Sequence, residues 1–144
     1  MNSEANYEDY EDYELNEALF SALLSARDVK QVQALLDAGA DPNDRDDFNG
    51  DSPLHFAKSA EQTQALLDAG ADPNVENDYG MTPLHCATSV EQTQALLAAG
   101  ADPNAMENNG SSALYFTRSA EQARVLLDAG ATWTRSDPDS DYDR

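Results

Sequence analysis

Cysteine is almost missing from this chain. Cys86 is the one thiol among 144 residues, so a disulfide framework within the chain is excluded, and an intracellular setting is the simplest expectation. Basic residues are scarce too. Eight Lys and Arg stand against 28 Asp and Glu, a formal net charge of −20. From Ser59 to Thr117 there is no Lys or Arg at all, against eight acids. Such a surface repels DNA, RNA and anionic lipid and attracts basic partners, faster at low salt. No run approaches the ~18 apolar residues of a membrane span. The first 17 residues hold acids and tyrosines where a signal peptide would be apolar. The expectation is a soluble, cytoplasmic protein. With 40% hydrophobic residues, a packed core remains within reach.

What the chain has in abundance is self-similarity. Gly-Ala-Asp-Pro-Asn begins at Gly39, Gly70 and Gly100, and a degraded copy follows as Gly130-Ala131-Thr132. Ser52-Pro53-Leu54-His55, Thr82-Pro83-Leu84-His85 and Ser112-Ala113-Leu114-Tyr115 keep the same spacing. Glu-Gln-Thr-Gln-Ala-Leu-Leu is identical from Glu61 and from Glu91. The period is 30 residues, or 31 at the first junction.

Each unit reads as a pair of helices. Ser52 or Thr82 is an N-cap, and the next proline suits the first helical position, where its missing N–H has no partner to lose. The first helix is expected to reach about Lys58 or Thr88. Ser59, Ser89 and Ser119, each followed three residues later by Gln62, Gln92 or Gln122, form capping boxes that open the second helix. Gly70, Gly100 and Gly130 end it. A polar, turn-rich connector then leads to Gly80 or Gly110. One such pair cannot bury its apolar face alone, which is why these units stack.

These motifs resemble the ankyrin-repeat family. Thr82-Pro83-Leu84-His85-Cys86-Ala87 matches its Thr-Pro-Leu-His-x-Ala signature, and Gly100-Ala101-Asp102-Pro103-Asn104 is similar to its Gly-Ala-Asp-Val-Asn turn. The resemblance covers residues 15 to 133 and implies an all-α solenoid of stacked helix-turn-helix pairs with β-turn or hairpin connectors. The family repeat has about 33 residues, and the missing three fall between the helices, which implies a tighter turn there. Repeats are expected at about 15–47, 48–79, 80–109 and 110–133. The first and last read as caps, preceded by an acidic arm at 1–14, expected to be flexible, and followed by an acidic tail at 134–144.

Signals for chemistry are weak. His55 and His85 fit the structural hydrogen-bonding histidine that the resemblance implies better than they fit metal ligands or general bases. Cys86 falls at a packing position with no base implied by the spacing. Asp44-Arg45-Asp46-Asp47 lacks the spacing and distal glutamate of an EF-hand loop. No phosphate loop, paired-cysteine zinc site or nucleophile elbow is present. The expectation is a non-enzyme with no cofactor and no metal.

The resemblance implies binding through connector tips and a concave face. Those positions are Phe48, Asn49, Asp51, Asp78, Tyr79, Met81, Asn108, Asn109 and Ser111, with Lys58, Thr88 and Arg118 on the inner side. Phe48, Tyr79 and Met81 have the aromatic and sulfur-bearing side chains of binding anchors, while Phe48 packed beneath its own longer loop is the alternative. Tyr7-Glu8-Asp9-Tyr10-Glu11-Asp12-Tyr13 forms a candidate acidic arm. The function expected is a protein–protein interaction module, monomeric or weakly oligomeric, that takes a basic partner and contacts neither nucleic acid nor membrane. The alternative is an acidic decoy imitating DNA, of the kind found in phage or mobile-element inhibitors. The solenoid carries about one net charge per 4 Å at ~10 Å per layer, against one per ~1.7 Å in duplex DNA. Mimicry therefore needs the terminal segments.

Overall fold

The computed structural model describes residues 7–133, with only the backbone described for residues 7–11. Seven α-helices and one 3-10 turn follow in order, with no strand among the described residues: α1 (Tyr7–Leu24), α2 (Val29–Asp37), α3 (Pro53–Phe56), α4 (Ala60–Asp68), α5 (Pro83–Cys86), α6 (Val90–Ala98), the 3-10 turn η1 (Ala113–Phe116) and α7 (Ala120–Asp128). Helices α2, α4, α6 and α7 stack into an outer layer, while α3, α5 and η1 form an inner layer against which the end of α1 packs. Leu54, Leu66, Leu84, Leu96, Leu114 and Leu126 make a single core that runs the length of the array. Each repeat buries its apolar face only against its neighbours, the arrangement of a solenoid.

The outer helices begin and end as the capping residues require. Ser59 accepts the Gln62 N–H at 3.1 Å, and Ser89 and Ser119 do the same for Gln92 and Gln122. At the far end of α4, Gly70 donates to Leu67 O and Ala71 to Leu66 O, both at 3.0 Å. That pairing places Gly70 at φ +96°, where a side chain would be strained.

The inner helices are shorter than their patterns suggest. α3 and α5 stop after one turn at Phe56 and Cys86 instead of reaching Lys58 and Thr88. Ala57 and Ala87 are already extended, with ψ of 131° and 132°. Lys58 and Thr88 turn their N–H groups away from the inner helix, onto the side-chain oxygens of Gln62 and Gln92. Shortening the repeat thus cuts back the first helix as well as tightening the turn. In the fourth repeat, where Ala113 replaces proline, this turn is 3-10.

Three ladders of side-chain amides and imidazoles tie the layers together. Asn43, Asn74 and Asn104 each donate to a glycine carbonyl of the next repeat and accept an N–H from it, for example Asn74 Nδ2 to Gly100 O at 3.0 Å and Asp102 N to Asn74 Oδ1 at 2.7 Å. Asn43 and Asn104 repeat the pair. Gln92 and Gln122 reach back to Ala57 O and Ala87 O. His55 and His85 reach forward to Met81 O and Ser111 O.

At the other end, the residues expected to form a flexible arm are helical from Tyr7 onward, continuous with α1. Acids in the first turns of a helix complement its dipole, which favours this outcome. Within α1, Phe20 and Leu23 are buried, while every residue from Asp12 to Ala18 is exposed. Residues 1–6 and the tail at 134–144 lie outside the described residues, as do the side chains of Tyr7, Glu8, Asp9, Tyr10 and Glu11. No helix is long and apolar enough to cross a membrane, among the described residues.

Candidate partner-binding surface

The connectors are built on one acceptor each. Asp46 takes the N–H groups of Phe48, Asn49 and Asp51. Asn77 takes those of Tyr79 and Met81, and Glu107 those of Asn109 and Ser111. A backbone bond closes each loop, Asp46 N to Asp51 O, Asn77 N to Met81 O and Glu107 N to Ser111 O. Strand-like pairing goes little further: the one isolated bridge among the described residues joins Met106 and Ser112. These are ordered turns and not full hairpins. Partial burial acts to raise the Asp46 and Glu107 pKa values, but the converging N–H groups outweigh it and hold both below the ordinary carboxylate value.

The loops also hold one another. Asp78 N donates to Asn49 O and Asn108 N to Tyr79 O, both at 2.8 Å. Asn108 Nδ2 adds a bond to Asp78 O, and Asn77 Nδ2 one to Asp51. The stacking is close enough that a Cβ on Gly80 would lie 2.6 Å from Asn108 Oδ1 and 3.1 Å from its backbone nitrogen. Arg45 secures the first loop, with Nε on Gly50 O at 2.9 Å and Nη2 at 3.5 Å from Asp78.

Three tips therefore stand in a row as a fixed ridge. Phe48 is 90% exposed and Tyr79 56%, so Phe48 does not pack beneath its loop. Asp78, Asn108 and Asn109 are exposed beside them, with Asn49 and Asp51 half-buried. Two expected members of the surface face inward. Ser111 is 7% exposed, because its carbonyl receives His85 and its N–H is held by Glu107. Met81 is half-buried for the matching reason, its carbonyl receiving His55. Sequence reasoning missed Met106, Phe56 and Tyr115, all exposed. Met106 lies at the base of the third loop, and a count of apolar residues in connectors would have marked it.

The two histidines are structural in geometry. Ser52 N donates to His55 Nδ1 at 3.0 Å, and His55 Nε2 lies 2.8 Å from Met81 O. An N–H on one side and a carbonyl on the other fix the neutral ring with its proton on Nε2. His85 repeats this between Thr82 N and Ser111 O. Burial lowers both pKa values, against the pull of the accepting carbonyls. Burial also pushes the Cys86 thiol up to about 11, far from the thiolate a nucleophile requires. The Asp46 carboxylate is committed to its loop, and no three His, Cys, Asp or Glu among the described residues are grouped to hold a metal.

A family model described as ankyrin repeats in three copies matches residues 19–107, well over half of the chain. The chain belongs to the ankyrin-repeat family. Ankyrin repeats are generally protein–protein interaction modules and typically carry no catalysis. No curated protein matches the sequence.

Proposed function

We propose that this ankyrin array binds a partner protein with a basic surface through its loop tips and inner face, and acts by occupying or recruiting that partner. One observation carries the proposal: a row of loops locked to one another presents Phe48 and Tyr79 to solvent within a strongly acidic surface. Aromatic anchors surrounded by polar groups concentrate binding energy, and loops already ordered have little entropy left to lose. The surrounding acids set the rate and the choice of partner more than the affinity. The test is affinity capture from the native host's nuclease-treated lysate, eluted by salt, followed by alanine variants. Phe48→Ala and Tyr79→Ala are expected to weaken the complex at least ten-fold each with folding unchanged. Full affinity in both variants would refute the reading.

A decoy that imitates nucleic acid is the second reading, and the helical form of α1 favours it. Glu8, Asp9, Glu11, Asp12, Glu14 and Glu17 lie on one helix, and at ~1.5 Å per residue they average about one charge per 2–3 Å, near the ~1.7 Å of duplex DNA. For a decoy, neutralising Glu8, Asp9, Glu11, Asp12 and Glu14 abolishes binding and free DNA competes. For an ordinary interface, neither happens.

A further inference from the structure

A groove of about 200 Å³ lies between α1 and the first connector, lined by Glu17, Phe20, Leu24, Asp46, Asp47 and Phe48 among others. It exists because α1 replaces the short inner helix of the other repeats and because the first connector carries one residue more than the second. Its floor is apolar, with Phe20 buried and Leu24 half-buried. Its rim is acidic. The Tyr13 phenol stands among the same carboxylates: Glu17 first, then slight burial, Asp47 and Asp44 all raise its pKa. Among the described lining residues the one cation, Arg45, is turned to Gly50 and Asp78. Among the described residues Glu17 and Asp47 therefore face the groove without a cation.

We propose that this groove receives an arginine side chain of the basic partner. The proposal rests on the interaction-module reading and specifies its contact. Size sets the class of occupant. The groove, at about 200 Å³, has room for a single side chain. It falls below the ~300–1,000 Å³ of small-molecule pockets. Chemistry sets the residue. The apolar stem lies along Phe20 and Leu24, the guanidinium stacks on the exposed Phe48 ring, and its N–H groups reach the Asp47 and Glu17 carboxylates. Lysine offers a point charge without a flat face for Phe48 or a fork for two carboxylates, so the groove prefers arginine.

The test is an amide NMR titration of the full chain with blocked Ala-Arg-Ala, Ala-Lys-Ala and Ala-Gln-Ala peptides. The arginine peptide is expected to give saturable shifts centred on Phe20, Asp47 and Phe48, and to bind at least three-fold more tightly than the lysine peptide. The glutamine peptide is expected to give no shift. Phe48→Ala, and Glu17→Gln with Asp47→Asn, should each weaken the arginine peptide at least three-fold. All three residues are exposed, so an unchanged melting temperature confirms the fold. Shifts spread evenly over the acidic surface, equal response to arginine and lysine, or saturable binding elsewhere would overturn the proposal. Its failure is separable from that of the wider reading: a captured partner that depends on Tyr79 but not on Asp47 and Glu17 removes the groove and keeps the interface.

Discussion

The third and fourth repeats differ little in sequence but end their stacking in different ways. In the third, His85 joins Thr82 N within its repeat to Ser111 O in the next, and the Thr82 hydroxyl lies 2.9 Å from the same ring nitrogen. In the fourth, Tyr115 stands where the histidine would be and is 48% exposed. Ser112, the counterpart of Thr82, is left with a fully buried hydroxyl that has no hydrogen-bond partner. At the far edge, Asn104 still finds Thr132 N and Gly130 O, so both ladders end on the fourth repeat, and the asparagine ladder has its one extra rung at the first junction, through Asn43. A repeat inside the array needs groups that face both ways. A repeat with no described neighbour beyond it can abandon them, and the residue type changes where the partner disappears.

The largest loss of stability is expected in the core. Leu96→Ala should cost about 2–5 kcal/mol, measured by urea denaturation. Leu96 belongs to α6, packed between α4 and α7, whereas among the described residues Leu126 has an outer-layer neighbour on one side only. Leu126→Ala should therefore cost less, and equal losses would show that the array does not divide its stability by neighbour.

Next in size is His85→Ala, which strands the Thr82 N–H and the Ser111 carbonyl and should cost about 1–3 kcal/mol. Tyr115→Ala should stay near ~0.5 kcal/mol, as surface changes do. The histidines also give a pH signature. Both have folded pKa values below the ordinary 6.5, so the unfolded chain takes up protons that the folded one refuses. Their contribution is complete above pH ~6.5 and is lost as pH falls through the folded values. The melting temperature should drop between pH 6.5 and 5, before most carboxylates titrate, and the slope should shrink in His85→Ala. The two buried serine hydroxyls differ in the same way. Ser52→Ala removes a hydroxyl 2.9 Å from His55 Nδ1 and should destabilise by about 1 kcal/mol, whereas Ser112→Ala removes an unpartnered one and should be neutral or stabilising.

Much of this was legible in the sequence because caps and turns are local. Ser59 with Gln62, and Gly70 after α4, act within a few residues, and their spacing alone marked the helices. Ser111 was misplaced because its burial depends on His85, 26 residues away, a contact with no local trace. Phe48 could be read as packed or exposed, since only the neighbouring loop decides which way a connector tip faces. The arm was read as flexible from its charge, but attachment to α1 carries the helix back to Tyr7.

By itself the sequence determined the repeat, its phase, the helix ends and the acidity of the surface, because each follows from residue type and short-range spacing. Tertiary structure alone decided which connector residues are exposed, where the one-turn inner helices stop, and that α1 and the first loop enclose a groove. Those outcomes depend on surfaces brought together from distant parts of the chain, and burial belongs to the pair of surfaces that meet rather than to either residue alone.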